Sequence, residues 1–160
     1  YPLPEAQLDR FMFNVVIDYP SYEDEKNIVK NNTSINNLSL KKVITKNNLL
    51  DYQKLVPNIP VSDNLIEYAV KFVHNTRPTH SSSPDITKKY INWGAGPRAS
   101  TFLILAAKAK AILSNKPTPD IDDIISILKP VLRHRIIPNF NAEAEGIKKD
   151  DILDELLESI

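Results

Sequence analysis

The stretch Trp93-Gly94-Ala95-Gly96-Pro97-Arg98-Ala99-Ser100 stands directly before an amphipathic segment of the chain. Gly96 suits the N-cap of a helix, and Pro97 suits its first position, where no backbone N–H donor is needed. Arg98 then lies in the first turn, at the positive end of the helix dipole, where acidic residues are favoured. A guanidinium beside free backbone N–H groups makes a phosphate site. The alternative is an ordinary N-cap turn with a solvated arginine, which the short pattern alone favours.

Outward from this turn, the periodicity of apolar residues predicts a mainly helical chain. Ser21, Thr45 and Ser62 are suitable N-caps for further helices, and Thr118-Pro119-Asp120 begins another. Residues spaced at i, i+3, i+4 and i+7 give each helix one apolar face, and in the helix that begins at Arg98 that face runs from Phe102 through Leu105, Ala106, Ala109 and Ile112 to Leu113. The predicted helices cover about residues 4–10, 22–30, 45–56, 62–76, 98–113, 118–128 and 148–160, with a further turn over 130–135 and loops over 31–39 and 77–92.

One segment near the start of the chain has the pattern of a strand instead. Phe11, Phe13, Val15 and Ile17 alternate with other residues, and Tyr19-Pro20 ends the run. A lone strand lacks hydrogen-bonding neighbours, so its sheet is expected to come from elsewhere. The predicted fold class is therefore mainly α, a bundle of about five helices preceded by a single strand that is the remnant of an α/β unit.

Composition narrows the class of protein further. The 160 residues include 42% hydrophobic residues, 20 basic and 20 acidic side chains, and no cysteine. The zero net charge argues against a general nucleic-acid binder, and the absence of cysteine excludes disulfides and thiolate metal sites. No apolar run approaches the ~18 residues of a membrane span, and no signal peptide is visible, so a cytoplasmic location is expected. The chain begins at Tyr1 rather than at a methionine, which predicts a piece of a longer protein.

Other polar residues have ordinary structural explanations. His74, His80 and His134 lack the spacing of metal ligands. The cluster Arg133-His134-Arg135 is typical of a solvated or salt-bridged turn, and Trp93 is interpreted as a packing anchor. Arg10, at the end of a short surface helix, is either paired with Asp9 or projected toward a neighbouring subunit.

The sequence contains no complete site for nucleotide hydrolysis. It has three glycines and no Gly-x-x-x-x-Gly-Lys-Ser/Thr loop to hold phosphates. No Ser/His/Asp or Cys/His arrangement stands out either. This chain alone is therefore expected to be inactive as a hydrolase.

Four segments in order nevertheless resemble MoxR-type AAA+ ATPases. The segment 3–11 (Leu-Pro-Glu-Ala-Gln-Leu-Asp-Arg-Phe) resembles the region before the last strand of the α/β core of that family. The segment 94–100 resembles its second-sensor motif, usually Gly-Ala-Ser-Pro-Arg-Ala. The segments 130–135 and 147–157 resemble stretches that follow that motif, so the resemblance spans essentially the whole chain.

The resemblance implies roles for two arginines. Arg10 matches the arginine finger, which reaches the γ-phosphate bound by the adjacent subunit. Arg98 matches the second-sensor arginine, which contacts the nucleotide of its own subunit from the lid. Gly96 stands where the family usually has serine, so a hydroxyl is missing while the N-cap is kept. The resemblance also places Walker A, Walker B and the first sensor upstream of Tyr1. It divides the chain into the end of the α/β core, residues 1–20, and a helical lid domain, residues 21–160.

The resemblance implies, for the parent protein, hydrolysis of ATP with magnesium, assembly of identical subunits into a ring with a hexamer as the expected size, and remodelling or maturation of an unidentified client protein. Neither ATP nor ADP is expected to bind this fragment tightly, and no nucleic-acid partner is expected. The alternative is a non-enzymatic helical module that binds a partner through an apolar groove. A P-loop about 100–150 residues upstream, the span of one core domain, would favour the ATPase.

Overall fold

Helices dominate the chain, as predicted. The computed structural model describes residues 1–34 and 40–160. Within these ranges the chain forms nine helices and one two-stranded antiparallel sheet. In chain order the elements are α1 (Glu5–Leu8), α2 (Tyr22–Thr33), α3 (Lys46–Asn58), α4 (Asp63–Asn75), α5 (Asp85–Tyr90), β1 (Ile91–Trp93), α6 (Pro97–Leu113), α7 (Ile121–Leu132), β2 (Ile137–Pro138), α8 (Phe140–Ala144) and α9 (Lys149–Glu158).

The predicted N-caps start the helices where the sequence places them. The Ser21, Thr45 and Ser62 hydroxyls accept hydrogen bonds from backbone N–H groups three residues later, at the starts of α2, α3 and α4. The Asp120 carboxylate does the same for α7. Each such bond satisfies one of the N–H groups that the first helical turn leaves without a partner. The predicted N-caps of α2, α3 and α4 are therefore confirmed, and α7 begins at the end of the predicted Thr118-Pro119-Asp120 start.

The core forms around α6, which packs against α3, α4 and α7. The face of α6 that points into the core is built from small residues around one leucine, namely Ala99, Leu103, Ala106, Ala107 and Ala111. Small side chains let α4 and α7 approach this helix closely, and Phe72 of α4 and Ile124 of α7 are fully buried. The sequence predicts the wrong core-facing side of α6, since Phe102 is only partly buried and Leu113 is 85% exposed. The reason is that alanines, rather than the larger residues, contact the neighbouring helices.

A short sheet joins the connection between α5 and α6 to the segment that follows α7. Ile91 of β1 is paired with Pro138 of β2, and Trp93 with Ile137, with an irregularity between the two pairs. The sheet brings the residues after α7 next to the turn that begins α6. The fold thereby places two segments, far apart in sequence, beside the same helix terminus.

Residues 11–17 form no strand, so that prediction is wrong for this structure. Alternating side chains indicate a strand only if a neighbouring strand satisfies the backbone hydrogen bonds. Among the described residues, this segment's backbone N–H groups make two backbone hydrogen bonds, from Phe11 to the Leu8 carbonyl at 3.1 Å and from Asn14 to the Pro130 carbonyl at 2.8 Å, and neither acceptor belongs to a strand. Its apolar side chains remain exposed, among them Val15 and Ile17. The two strands that do form, β1 and β2, were not predicted.

The two predicted loops also need correction. Residues 77–92 are not wholly loop, because α5 begins after Pro84 and buries Ile86, Thr87 and Tyr90 against the bundle. In the predicted loop 31–39, residues 31–33 continue α2, and residues 35–39 lie outside the described residues. The predicted turn over 130–135 is partly confirmed, since α7 continues to Leu132. No helix in the described ranges is long and apolar enough to cross a membrane.

Candidate functional site

The turn before α6 lies against the end of α4. A Cβ atom on Gly94 would lie 2.3 Å from the Thr76 carbonyl oxygen and 2.8 Å from the Arg77 Cα atom. Both of these are backbone atoms, which cannot swing aside as a side chain can. Only glycine therefore permits this approach of the two backbones.

Two side chains from the end of α4 hold the next residue of the turn. The Thr76 hydroxyl accepts a hydrogen bond from the Ala95 N–H at 2.9 Å, and Arg77 Nε donates to the Ala95 carbonyl at 2.9 Å. Both backbone polar groups of Ala95 are thereby paired. The start of α6 is thus fixed in position by α4, which predicts little freedom for the residues that follow.

Helix α6 begins as predicted, with Gly96 at the N-cap and Pro97 at the first helical position. No side chain caps it, and its first turn contains no acidic residue. Arg98 occupies that turn. An anion that compensates the positive charge of Arg98 must therefore come from elsewhere in the chain or from a ligand.

Asp9 supplies that anion in this structure. Its Oδ2 atom lies 2.5 Å from Arg98 Nη1, and the Arg98 side chain is 46% exposed. Arg98 is thus exposed to solvent, as expected, and in addition forms an ion pair with Asp9. The Asp9 carboxylate is drawn to the guanidinium and to the positive end of α6 together. The sequence interpretation of an Asp9–Arg10 pair is also not what forms, since no ion pair joins them among the described residues.

Arg135 holds the other oxygen of the same carboxylate. Its Nε atom donates to Asp9 Oδ1 at 3.0 Å, and its side chain is only 1% exposed. The guanidinium also lies over the Phe102 ring, 5.0 Å from the ring centroid. Burial lowers the pKa of Arg135, while the bond to Asp9 opposes this change. We call Asp9, Arg98, Phe102 and Arg135 the arginine cluster.

The prediction of a salt-bridged turn at residues 133–135 is confirmed. Arg133 Nη2 pairs with Asp150 at 2.8 Å, just as Arg135 pairs with Asp9. Sequence reasoning did not anticipate the burial of Arg135 or its place beside Arg98. The available signal was weak: an arginine in the first turn of a helix needs an anion, but the sequence does not show which one.

Arg10 lies next to the arginine cluster but outside it. It is exposed, and its side chain makes no hydrogen bond or ion pair with any described residue. The structure therefore brings Arg98 together with Asp9 and Arg135, and leaves the adjacent Arg10 side chain open to solvent.

Trp93 is not the packing anchor that the sequence suggests. It is 69% exposed, because the irregularity in the β1–β2 pairing lies between Ile91 and Trp93, and a bulge of this kind re-aims the following side chain. With Arg77, Pro78 and Pro97 it lines an open cavity of about 280 Å³ beside the start of α6. Within the described ranges, no group of side chains has the arrangement of a metal site.

The lowered pKa of His134 predicts that the free energy of unfolding depends on pH. Burial is the main cause that lowers its pKa, and the charges of Arg135 and Lys149 act in the same direction. The Phe11 carbonyl and Asp9 act in the opposite direction. Since the pKa is lowered in the folded state, the unfolded state binds more protons as the pH falls. The contribution of His134 to the free energy of unfolding is thus complete at a pH above its unfolded pKa of about 6.5. It is lost as the pH falls toward the lower pKa of the folded state.

We therefore expect the free energy of unfolding to decrease between pH 7.5 and pH 5.5. Urea denaturation across this range measures it, and the slope should be smaller in His134→Gln. An equal slope in both proteins would assign the pH dependence to other groups.

Comparison with known proteins defines the class of this fold. Residues 84–156 match the AAA lid domain family. The chain is 32% identical over 160 residues to chaperone MoxR1 of Mycobacterium tuberculosis, covering all of this chain and 42% of that protein. It is 34% identical over 161 residues to the uncharacterised protein YeaC of Bacillus subtilis, covering all of this chain and 48% of that protein.

A solved structure agrees with the sequence matches. The crystal structure of a candidate ATPase from Cytophaga hutchinsonii superposes with a TM-score of 0.91 at 34% identity, covering all of this chain and 49% of that one. The helical bundle is thus an AAA lid domain with its flanking segments. Sequence and fold together match this chain to the C-terminal part of MoxR-type AAA+ proteins. It spans slightly less than half the length of the relatives named here.

Proposed function

We propose that this chain is the lid-containing part of an ATPase that couples ATP binding and hydrolysis to chaperone-like remodelling or maturation of a protein partner. Residues 1–20 would be the end of the α/β core, and residues 21–160 the helical lid. The relationship to MoxR-type proteins supports this proposal. The observation that carries it is the half-exposed Arg98 in the first turn of α6, held by a single carboxylate.

Arg98 is suited to contact a nucleotide phosphate. Its guanidinium is accessible, and it stands in the first turn of α6, at the positive end of the helix dipole. A phosphate would take the place of the Asp9 carboxylate at Arg98, exchanging one oxyanion for another with more charge. Binding at Arg98 would then depend on the nucleotide state, which is how a lid arginine can bias the position of the lid.

Arg10 is suited to act in a neighbouring subunit. Its side chain is exposed and makes no interaction within the described residues, so it remains available to a second copy of the protein. Under this proposal the identical subunits form a hexameric ring. Arg10 would approach the γ-phosphate of the nucleotide that the adjacent subunit binds. There it would stabilise the charge that develops during phosphoryl transfer.

The phosphate cradle and the magnesium ligands would come from outside this chain. The sequence has no Gly-x-x-x-x-Gly-Lys-Ser/Thr loop, and the described residues hold no group of acidic and histidine side chains suited to a metal ion. ATP or ADP with magnesium would thus bind the full-length protein, with this chain contributing Arg98 and Arg10. Under this proposal the protein is cytoplasmic.

Arg98→Ala in the full-length protein should weaken nucleotide binding by about tenfold. One hydrogen bond to a charged group contributes about 1.5–3 kcal/mol to binding. In the wild type, the nucleotide must first displace Asp9 from Arg98, which offsets part of this contribution, so the expected net loss is about tenfold in affinity. Isothermal titration with ATP and ADP measures the effect. Lys110→Ala is the matched control, because it removes an exposed positive charge from the other end of the same helix.

Unchanged nucleotide affinity and unchanged turnover in Arg98→Ala would contradict the assignment of this residue. If the full-length protein bound no nucleotide at all, the alternative of a non-enzymatic helical interaction module would replace the ATPase.

A further inference from the structure

Arg135 binds the backbone on both sides of Arg10. Its Nη2 atom donates to the Asp9 carbonyl at 2.9 Å and to the Phe11 carbonyl at 2.6 Å. We propose that Arg135 is a positioning residue for Arg10, which holds the segment 9–12 on the lid so that Arg10 moves with it. This inference rests on the proposed function, in which Arg10 acts on the nucleotide of a neighbouring subunit.

All five N–H donors of the Arg135 guanidinium have acceptors, and most of these acceptors lie in the segment 9–12. Besides the two carbonyls around Arg10, its Nη1 atom donates to the Met12 carbonyl at 3.3 Å and to the Val131 carbonyl, and Nε donates to the Asp9 carboxylate. An arginine has five N–H donors, and five acceptors are present here. Four of the five belong to the segment 9–12, and the fifth belongs to α7.

Burial makes this attachment hard to release. The Arg135 side chain is 1% exposed, and a buried guanidinium without partners would carry a large desolvation penalty. Any arrangement that moved the segment 9–12 away from the lid would leave most of these donors unpaired. The segment 9–12 is therefore held to the lid by its bonds to the buried guanidinium, although none of its own side chains is fully buried.

The attachment also joins the two proposed functional arginines. Asp9 accepts from Arg135 with one carboxylate oxygen and from Arg98 with the other. Phe102, under the Arg135 guanidinium, lies one helical turn after Arg98 on α6. When a phosphate takes Arg98 from Asp9, the bonds from Arg135 to the segment 9–12 remain. Arg10 would then follow α6 as the lid changes its position.

Arg133 provides a matched control in the same turn. Its side chain is 16% exposed and pairs with Asp150 at 2.8 Å, and its other bond is a long one to the Asn14 carbonyl at 3.4 Å. Within the described ranges it therefore makes no hydrogen bond or ion pair with Asp9 or Phe11, the residues on either side of Arg10. Replacing Arg133 removes a largely buried arginine from this turn and leaves the bonds of Arg135 in place.

The test compares ATP turnover and nucleotide affinity of Arg135→Gln, Arg10→Ala and the double variant in the full-length protein. Arg135→Gln should lower turnover by at least about tenfold, since a misplaced catalytic group loses this much or more. Its affinity for ATP should remain that of the wild type, because Arg98 is intact. In the Arg10→Ala background, Arg135→Gln should cause no further loss. Arg133→Gln should keep wild-type turnover.

Two results would overturn the proposal: wild-type turnover in Arg135→Gln, or a loss in the double variant equal to the product of the two single losses. If Arg135→Gln fails to fold by circular dichroism, Arg135→Lys replaces it. Lysine keeps the charge but carries its donors on one nitrogen, so it should also lower turnover, and full turnover would count against positioning. If Arg10→Ala itself has no effect, the finger role in the proposed function fails. If Arg10→Ala acts and Arg135→Gln does not, only the positioning role fails.

Discussion

Subunits carrying Arg10→Ala are expected to bind nucleotide normally while stopping hydrolysis in the adjacent subunit. Arg98, which is proposed to contact the nucleotide of the same subunit, is unchanged in this variant. The Arg10 side chain makes no hydrogen bond or ion pair with any described residue that its removal would disturb. An arginine supplied from a neighbouring protein contributes about 10³–10⁵-fold to phosphoryl transfer in other nucleotide hydrolases. We therefore expect a loss of at least about 10³-fold at each site that faces the variant.

Mixing experiments measure this effect directly. Wild-type full-length protein is mixed with increasing amounts of Arg10→Ala subunits, and turnover should fall in proportion to the wild-type sites that adjoin a variant. Arg10→Lys is the matched control, since it keeps the charge but loses the planar fork of donors, and it should retain part of the activity. If Arg10→Ala subunits lost their own nucleotide binding, the role across the interface would be wrong.

Gly94→Ala is expected to destabilise the lid by about 3 kcal/mol, the upper part of the usual range for an overpacked site. The added methyl group would lie 2.3 Å from the Thr76 carbonyl oxygen and 2.6 Å from its carbon. Since both atoms belong to the backbone, the turn must move away from α4. That movement would also break the bonds that Thr76 and Arg77 make to Ala95.

Gly96→Ala is the matched control for this prediction. A Cβ atom there would have nothing within 4 Å, and the backbone φ of −80° is one that any residue adopts. Urea denaturation of both variants should show a large loss for Gly94→Ala and a small one for Gly96→Ala, where alanine is only a poorer N-cap. Equal losses would mean that the close approach of Gly94 to α4 does not determine stability.

Local chemistry explains what could be predicted from the sequence. Ser21, Thr45 and Ser62 each cap a helix through a bond that spans three residues, so these N-caps can be predicted without knowing the rest of the fold. The same holds for Gly96 and Pro97 at the start of α6. The mainly helical class follows from these starts together with the spacing of apolar residues.

Contacts between distant segments explain what could not be predicted. Asp9 and Arg135 are separated by 126 positions, and nothing local indicates that they meet. The exposure of Trp93 depends on an irregularity in a sheet of two very short strands, which no periodicity indicates. The strand pattern over residues 11–17 describes the side chains correctly, but pairing requires a neighbouring strand, and none is present in the described ranges.

The arginine cluster is partly predictable in the same sense. An arginine at the positive end of a helix calls for an anion, and this is visible in the sequence. The identity of that anion depends on the sheet and on the end of α7, which bring residues 133–135 to the start of α6. The assignments of Arg10 and Arg98 to nucleotide contacts remain predictions, as does the division into residues 1–20 and 21–160.

Helix α6 also has a mechanical consequence. With 17 residues and a rise of about 1.5 Å per residue, it is about 25 Å long, and Arg98 stands at one end while Leu113 stands at the other. A tilt of about 5° about the Arg98 end would displace the far end by about 2 Å. Because its alanine face is packed against α4 and α7, those helices would travel with it. If Arg98 binds a phosphate as proposed, a small tilt at that end of α6 would become a larger displacement at the Leu113 end of the helix.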